Sequence, residues 1–218
     1  MAEQGDRALA ASKRVKPVLE RDLRKLGLEF GAPVFMRIFK REKELELWVE
    51  GDAHRFVLFR TYPICTYSGD LGPKQREGDN QAPEGFYRVA AGQLNAQSRF
   101  HLSFNLGYPN AYDRAHSRTG NFLMVHGSCV SIGCYAMGDD AIEEIYTLAA
   151  AALQSGQPAF EVHAFPFRLD QENLDGEKDS QWHAFWSELK SAYDAFDQSK
   201  RLPTLSTRGL HYAVVAKP

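Results

Sequence analysis

Strong charge of either sign is missing from this chain of 218 residues, in which 26 Lys and Arg face 28 Asp and Glu and the formal net charge is −2. Without an excess of one sign, no field recruits nucleic acid or an anionic membrane, so neither is an expected partner. Long apolar runs are missing too, because no stretch approaches the ~20 residues that a membrane-spanning helix needs. We therefore expect no transmembrane segment.

Internal repeats and low-complexity segments are also missing. With 44% hydrophobic and 25% charged residues, the composition is that of one globular domain with appendages, long enough to bury a core. The polar loop 68–85 is rich in glycine but is not a nucleotide-binding loop. Its Gly72-Pro73-Lys74 lacks the required spacing and the following Ser or Thr.

Alternation with a period of two marks the strands. Three segments predict strands in an antiparallel meander: PVFMRIFK (33–40), ELELWVE (44–50) and RFVLFRTY (55–62). Within the second segment two sets of residues alternate: Leu45, Leu47 and Val49 with Glu44, Glu46 and Trp48. AFEVHAF (159–165) predicts a further strand, on which His163 is a strand side chain rather than a catalytic one.

Helices are marked by capping residues and by the 3.6-residue period. Residues 1–16 lack a firm period and are expected to form a frayed arm. We predict helices over 17–26, ended by Gly27, over 139–153, capped by Gly138-Asp139-Asp140, and over 181–197. The first would bury an apolar face of Val18, Leu19, Leu23 and Leu26. A polar break is expected at 170–180, and residues 211–216 predict a last strand or an extended tail.

One stretch, NFLMVHGSCVSIGCYAM (121–137), has the composition of an active site. A short apolar run delivers His126 to a turn at Gly127, and Gly133 precedes Cys134. A free thiol, with a pKa of about 8.5, is mostly protonated at neutral pH, so an imidazole within reach is needed to activate it. Glycine tolerates backbone angles that let N–H groups converge on an oxyanion. A structural histidine beside a buried cysteine is the alternative.

The segment SIGCYAM (131–137) resembles the Ser-x-Gly-Cys signature of the YkuD-type L,D-transpeptidases, and His126-Gly127 resembles the upstream His-Gly of that family. The compressed arrangement HGSCVSIGCYAM is more similar to the YafK-like branch. Two further blocks, residues 67–87 and 107–114, share the likeness. Together the resemblance covers roughly residues 33–168.

This resemblance implies an α+β, β-rich fold. The expected architecture is a YkuD-like mixed β-sandwich core with a capping helix after the catalytic cysteine and a helical C-terminal extension. The expected division is an N-terminal arm and short helix (1–32), the catalytic domain (33–170) and an extension packed on the core (171–218).

Roles for the motif residues also follow from the resemblance. Cys134 would be the nucleophile, His126 the general base, and the carbonyl of Gly127 would orient the imidazole. The backbone around Gly133 and Cys134 would stabilise the oxyanion. Because Cys134 lies shortly before the helix predicted from residue 139, the N-terminus of that helix would help to hold the thiolate.

The chain departs from the wider family on both sides of the cysteine. Many YkuD enzymes have His two residues before it and Arg two residues after it, where this sequence has Ile132 and Ala136. Any substrate contact that those two side chains make elsewhere is therefore missing from this chain.

Candidates for substrate binding lie mainly in the segment 98–120, which carries more aromatic and cationic side chains than a plain connection needs. A diaminopimelate-bearing peptide offers free carboxylates that a guanidinium can hold in two-point fashion. The candidates are Tyr108, Asn110, Tyr112, Arg114 and Ser131. A loop held by its own aromatic packing is the alternative.

Three cysteines make an odd number. In an oxidising compartment, a disulfide between Cys65 and Cys129 would leave Cys134 as the free reactive thiol. Two buried free thiols are the alternative. Because the family acts on the cell wall, we expect a periplasmic location and an export signal that this chain does not carry.

The expected activity is cysteine-dependent acyl transfer on diaminopimelate-containing peptidoglycan peptides, without a cofactor or metal. Resemblance to the YafK-like branch favours hydrolysis, in which an amidase releases diaminopimelate-linked protein such as a wall-linked lipoprotein. The alternative is transpeptidation that forms cross-links or attaches protein. Two other classes stay open: a zinc site at His126, Cys129 and Cys134, spaced H-x2-C-x4-C, and a peptidoglycan-binding module without turnover.

Overall fold

The structure is a computed structural model that describes residues 5–215. Its strands are β1 (Val34–Phe39), β2 (Glu44–Glu50), β3 (Phe56–Pro63), β4 (Thr66–Tyr67), β5 (Gly85–Ala90), β6 (Leu94–Asn95), β7 (Ser103–Asn105), β8 (Met124–His126), β9 (Tyr135–Ala136), β10 (Ala159–Phe165), β11 (Thr204–Arg208) and β12 (His211–Val215). Its α-helices are α1 (Asp6–Lys25), α2 (Ala111–Ala115), α3 (Asp139–Gln154), α4 (Gln171–Gly176) and α5 (His183–Ser199). The mixture confirms the predicted α+β, β-rich class.

Five longer strands form one sheet, which we call the scaffold sheet, in the order β3–β2–β1–β10–β5. The predicted antiparallel meander β1–β2–β3 is confirmed. β10 joins β1 in parallel, and β5 then pairs with β10 in the antiparallel direction. The strand predicted at 159–165 therefore lies in the middle of this sheet and not at its edge.

Both faces of the scaffold sheet are covered at its inner strands β1, β2 and β10, whereas much of the edge strand β3 is exposed. Leu45 and Leu47 are fully buried in the main core, and the alternating residues Glu46 and Trp48 are only 3% and 6% exposed. Helix α5 covers this second face, where the rings of Trp48 and Phe196 meet edge to face with centroids 5.0 Å apart. The alternation of apolar and polar residues predicts β2 as a strand, but the burial of its second face depends on helix α5.

The carboxylate of Glu46 is tolerated in this buried layer because two cations bond it. Nε of Arg37 donates to Oε2 of Glu46 at 2.9 Å, and Nη1 of Arg168 donates to Oε1 at 2.8 Å. A buried carboxylate needs such partners, since an unpaired one would be strongly destabilising.

Five short strands form the second sheet, which we call the site sheet, in the order β4–β9–β8–β7–β6. Each has only two or three residues. β8 and β9 run parallel, and the other neighbours are antiparallel. Strands this short contribute few ladder hydrogen bonds, so the sheet depends on side chains and loops around it.

Helix α3 follows the site sheet and confirms the prediction for 139–153 within one residue. Its predicted apolar face is buried: Ile142, Ile145, Tyr146 and Ala149. Gly138 precedes the helix with a φ of +81°, a backbone conformation that favours glycine.

Helix α1 begins earlier than predicted. It starts at Asp6, so the frayed arm expected over residues 1–16 is wrong for residues 6–16, while residues 1–4 lie outside the described part of the chain. Ala8 and Ala11 are buried where α1 packs against α3. Such small residues produce little apolar periodicity, which is why the sequence did not show the extra turns.

The first predicted helix also differs in detail. Pro17 lies inside α1 and does not start it. Of the four residues expected on the apolar face, Leu19 and Leu23 are buried, whereas Val18 and Leu26 are exposed. The predicted stop at Gly27 is confirmed: its φ is +71°, and the chain closes as a Schellman motif.

The C-terminal extension contains α4, α5 and the hairpin β11–β12. The predicted amphipathic helix over 181–197 is confirmed as α5. The polar break expected at 170–180 contains the short helix α4, whose first turn is capped by the Asp170 carboxylate accepting from the N–H of Asn173 at 2.8 Å. The last strand predicted at 211–216 is confirmed as β12, while residue 216 lies outside the described residues.

None of the helices within residues 5–215 combines the length and the apolar composition that crossing a membrane requires.

Candidate active site

His126 is the last residue of β8, and Cys134 immediately precedes β9, the parallel neighbour of β8. The register pairs Val125 with Tyr135 and His126 with Ala136. Side chains alternate between the faces of a strand, and Cys134 stands two residues before Ala136, so the thiol and the imidazole share one face. The opposite face carries Val125 and Tyr135, both fully buried in the core.

The imidazole of His126 is oriented by its own turn. Nδ1 lies 2.5 Å from the carbonyl oxygen of Gly127. A carbonyl can only accept, so Nδ1 carries the proton and Nε2 keeps a free lone pair. The ring of Phe100 stacks on the imidazole with centroids 4.7 Å apart. The buried His126 is thus held as the tautomer that can accept a proton at Nε2.

The turn after His126 is tied to the start of α3. The N–H of Ser128 donates to Oδ1 of Asp139 at 2.7 Å, and the N–H of Gly138 donates to the carbonyl of Ser128 at 2.9 Å. A Cβ at Gly127 would lie 2.7 Å from Oδ1 of Asp139 and 2.8 Å from the carbonyl oxygen of Phe100. Lack of space, rather than a positive φ, therefore requires glycine at position 127.

Cys134 is partly exposed, and its sulfur contacts backbone groups of the neighbouring segment. The N–H of Met124 donates to Sγ at 3.4 Å, and the thiol donates to the carbonyl oxygen of Phe122 at 3.8 Å. Within residues 5–215 no hydrogen bond joins the thiol to His126. The thiol must therefore turn away from Phe122 before it can pass its proton to Nε2, a rearrangement typical of sites without substrate.

Burial disfavours the charged form of both groups. It lowers the pKa of His126 below its ordinary value, although the hydrogen bond to Gly127 works in the opposite direction. It also raises the pKa of Cys134, while the Met124 N–H and the charge of Lys74 counteract part of that effect. The stabilisation of the thiolate that was expected from the imidazole and from the N-terminus of α3 stays a prediction.

The loop before Cys134 is held by two hydroxyl groups. The N–H of Gly133 donates to Oγ of Ser68, which itself donates to the carbonyl of Asn80 at 2.8 Å. Oγ of Ser131 donates to the carbonyl of Cys134 at 2.6 Å. Ser131, expected to bind substrate, thus supports the backbone of the loop, and the N–H expected to bind an oxyanion is occupied by Ser68.

Two of the predicted substrate-binding residues, Tyr108 and Tyr112, are buried. The hydroxyl of Tyr108 donates to the carbonyls of Lys74 and Thr119, at 3.3 and 3.4 Å. The ring of Tyr112 stacks on Tyr212 with centroids 4.0 Å apart. These side chains hold loops together and present little surface to a ligand, as in the alternative interpretation of the segment 98–120.

The other two candidates in this segment also have partners within the protein. The side chain of Asn110 caps α2 by accepting from the N–H of Asp113 at 2.8 Å and donates to the Tyr212 hydroxyl at 2.8 Å. Arg114 is exposed and donates to the carbonyl of Pro109. Only Arg114 is open to a ligand, and the cleft described below does not include it.

A disulfide joins Cys65 and Cys129, with their Cα atoms 5.4 Å apart. The predicted pairing is confirmed, the alternative of two free thiols is wrong, and Cys134 is the free cysteine. The bridge connects the residue before β4 to the turn after β8. Because Cys129 is not a thiolate, the H-x2-C-x4-C set cannot serve as three zinc ligands. Among residues 5–215 no group of three or more His, Cys, Asp and Glu could hold a metal ion.

A cleft of about 150 Å³ opens next to the motif, and Cys134 itself is not among its lining residues. Two apolar side chains near Cys134 are exposed at this cleft. Phe122, whose carbonyl accepts from the Cys134 thiol, is 71% exposed, and Ile132, two residues before Cys134, is 81% exposed. The residues that line the cleft are Lys74, Glu77, Gly78, Asn80, Gly120, Asn121, Phe122, Leu123 and Ile132.

Sequence reasoning missed Ser68, Lys74, Phe100 and Phe122 as neighbours of the motif. Ser68 and Lys74 lie in the block 67–87 that carries the family resemblance, but no spacing rule connects them to a cysteine some sixty residues later. Phe100 comes from a loop of its own. The signal at Phe122 is conformational, a positive φ of +54° in a bulky residue, and is visible only in the structure.

The model of the YkuD family, the L,D-transpeptidase catalytic domain, matches residues 36–159. Those residues are more than half of the chain and include the whole site sheet, His126 and Cys134. The chain belongs to the YkuD L,D-transpeptidase family.

The protein of Escherichia coli (strain K12) named "Putative L,D-transpeptidase YafK" is 45% identical over 210 residues, which are 96% of this chain and 83% of that protein. The protein of the same name in Escherichia coli O157:H7 matches to the same extent. Among solved structures, a mutant of the helical cell shape determining protein Pgp2 from Campylobacter jejuni has a TM-score of 0.51 and 18% identity, covering 82% of this chain and 63% of that one. This likeness concerns the fold.

Proposed function

We propose that this protein is a cysteine-dependent acyl-transfer enzyme that cleaves diaminopimelate-containing peptides of peptidoglycan, with water as the final acceptor. One observation carries the proposal. The imidazole of His126, whose Nδ1 is bonded to the Gly127 carbonyl, stands on the same sheet face as the only unpaired thiol within residues 5–215, that of Cys134. Family membership supplies the class of substrate.

The first half of the reaction forms a thioester. The thiol proton passes to Nε2 of His126 as Sγ bonds to the acyl carbon of the donor. The tetrahedral oxyanion is stabilised by backbone N–H groups at Cys134 and at Gly133, the latter once Ser68 gives way. The C–N bond then breaks, and Nε2 returns its proton to the leaving amine.

The second half of the reaction decides the outcome. Water attacking the thioester gives a carboxylic acid and regenerates the thiol, whereas an amine gives a new amide. Hydrolysis is the proposed outcome, and resemblance to the YafK-like branch is its support. The released group is then a protein linked through diaminopimelate, such as a wall-linked lipoprotein. Transpeptidation onto an amine acceptor is the second candidate, supported by the family's activity.

A periplasmic location belongs to the same proposal. The disulfide between Cys65 and Cys129 supports an oxidising compartment, since such bonds persist there and are rare where thiols are kept reduced. Both cysteines are exposed, so a reducing environment would have access to them.

The test is incubation with wall fragments that carry a diaminopimelate-linked peptide, followed by mass spectrometry of the products. Gain of water at the diaminopimelate acyl group supports hydrolysis. Exchange of one amine for another supports transpeptidation and contradicts the hydrolytic proposal.

The variant Cys134→Ala distinguishes an enzyme from a binding module. Loss of product with retained binding of wall fragments is expected. A variant that gives the same products as the unaltered protein would reject the thiol mechanism, and wall binding without turnover by the unaltered protein would favour the module.

A further inference from the structure

Lys74 is a nearly buried cation at the cleft beside Cys134. Its side chain is 6% exposed, and its Nζ donates to Oδ1 of Asp79 at 2.6 Å and to the carbonyl of Arg76 at 2.9 Å. An ammonium group has three protons, so one remains for a further acceptor. Lys74 is also among the residues that line the cleft.

The carboxylate of Asp79 does not depend on Lys74 for its hydrogen bonds. Oδ2 accepts from the N–H groups of Gln75 and Arg76 at 2.8 and 2.9 Å, and Oδ1 accepts from the N–H of Gln81 at 3.0 Å. Burial raises the pKa of Asp79, but these bonds and Lys74 outweigh it and lower that pKa to about 2. Asp79 would therefore keep three hydrogen bonds if Lys74 turned one of its protons towards another acceptor.

Gly120 leaves space for the side chain of Lys74. Gly120 has a φ of +116°, and a Cβ there would lie 2.9 Å from Cε of Lys74. Gly120 and Phe122 line the same cleft, and the thiol of Cys134 bonds the carbonyl of Phe122 at 3.8 Å. The ammonium group and the sulfur therefore border one short segment, residues 120–122.

We infer that Lys74 binds a free carboxylate of the acyl donor in this cleft and so determines which donors Cys134 attacks. The inference rests on the proposed function for the identity of the donor, a diaminopimelate-containing peptide, which has a free carboxylate near its scissile amide. A partly desolvated cation with an open donor, whose charge reaches Cys134, is the partner that such a carboxylate needs. Lys74 takes the role that sequence analysis gave to Arg114.

A first experiment needs no natural substrate. Iodoacetate and iodoacetamide alkylate the same thiol but differ by one negative charge, so the ratio of their rates at Cys134 reports the cation nearby. We expect Lys74→Met to lower the iodoacetate-to-iodoacetamide ratio about fivefold, as removal of a nearby charge in a partly desolvated site should. Lys178→Met, which removes an exposed lysine of the C-terminal extension, is the matched control and should leave the ratio unchanged.

A second experiment uses the donor itself. The unaltered protein should cleave a peptide with a free diaminopimelate carboxylate about tenfold more efficiently than its carboxamide analogue, mainly through KM, since a charged contact is lost. Lys74→Met should remove this preference. Equal efficiency for the two peptides, or an alkylation ratio that Lys74→Met does not change, overturns the inference.

The outcomes separate the two proposals. If no donor is turned over, the proposed function fails, while the alkylation ratio still shows whether Lys74 attracts an anion to the thiol. If Lys74→Met does not fold, the role of Lys74 is tested by comparing the carboxylate and carboxamide peptides on the unaltered protein. The salt dependence of the alkylation ratio then replaces the variant, and a ratio that does not fall as salt is added contradicts the inference.

Discussion

The scaffold sheet and the site sheet each have five strands, but they are stabilised in different ways. Strands of the scaffold sheet have six to eight residues, and its inner strands β1, β2 and β10 are covered on both faces. Strands of the site sheet have two or three residues and are supported by a disulfide, by hydroxyl groups and by the start of α3. The first derives its stability from burial, and the second from a small number of specific contacts.

This difference teaches where function can be placed. A long strand buried on both faces leaves no side chain free for a ligand. A short parallel pair can carry an imidazole at the end of one strand and a partly exposed thiol just before the other, provided that neighbouring groups fix the backbone. Substitutions in the site sheet should therefore change rate more than stability, and substitutions at the scaffold sheet should do the reverse.

The largest effect on rate is expected from His126→Gln. Without a proton acceptor at Nε2, kcat should fall about 100- to 10,000-fold, the usual contribution of general acid–base catalysis. The unfolding free energy should fall by no more than about 2 kcal/mol. Turnover of wall fragments and chemical denaturation measure the two quantities. His116→Gln, at a partly exposed histidine of α2, should change neither, and a rate within threefold for His126→Gln would contradict the proposed base.

The scaffold counterpart is Glu84, just before β5. Its carboxylate is fully buried, lies 3.1 Å from Nζ of Lys40 and accepts from the N–H of Gly72 at 2.7 Å and from Nε1 of Trp186 at 2.8 Å. Glu84→Gln leaves a buried ammonium group without its counter-ion, so stability should fall by about 3–5 kcal/mol.

Thermal and denaturant unfolding test this prediction. The exposed Glu172→Gln is the control and should stay within about 0.5 kcal/mol of the unaltered protein. If Glu84→Gln unfolds at the same denaturant concentration as the control, the contrast between burial and specific contacts fails at this point.

The disulfide should come next in size. Cys65 and Cys129 are 64 residues apart, so Cys65→Ser should cost about 2–4 kcal/mol through the entropy of the unfolded chain. Because the bridge also fixes the turn after β8, turnover should fall as well. Unfolding with and without a mild reductant measures the effect. Reductant should weaken the unaltered protein and leave Cys65→Ser unchanged, and an equal response of both would show that the bridge contributes nothing.

The smallest effect is a shift in pH dependence. Burial lowers the pKa of His126 below its ordinary value of 6.5. The imidazole is therefore expected to stay neutral, and able to accept a proton, at pH values somewhat below 6.5. The acid limb of kcat/KM should therefore have its midpoint below pH 6.5. Alkylation of Cys134 needs the thiolate. Because burial raises the pKa of the thiol, the midpoint of the pH profile of alkylation should lie above the ordinary value for cysteine. An acid limb above 6.5 would show that the imidazole is paired with an anion and not neutral.

Much of the scaffold could be predicted from the sequence, because alternation and capping are local signals. β1 to β3, β10, α3 and α5 were all visible in this way. The start of α1 was not, since Ala8 and Ala11 carry no apolar pattern, and α4 was hidden in a polar segment. The burial of Glu46 could not be predicted either, because its partner Arg168 lies 122 residues away.

Residues of the candidate site could be predicted only where they belong to one contiguous sequence motif. The positions of His126, Gly127 and Cys134 follow from one contiguous stretch, and the remaining cysteines from counting. The buried positions of Tyr108 and Tyr112 did not follow, because aromatic composition does not distinguish a ligand contact from packing. Lys74 was missed for a related reason: its closeness to the thiol comes from two loops meeting, which no local pattern records.

The most direct test of the account is to trap the intermediate on Cys134. Acid quenching during turnover of a diaminopimelate-linked peptide, followed by mass mapping, should show the acyl donor attached to Cys134 as a thioester that hydroxylamine removes, and no adduct on Cys134→Ala. Product formed by Cys134→Ala, or an acyl adduct on any other residue, would contradict a nucleophilic sulfur at this position.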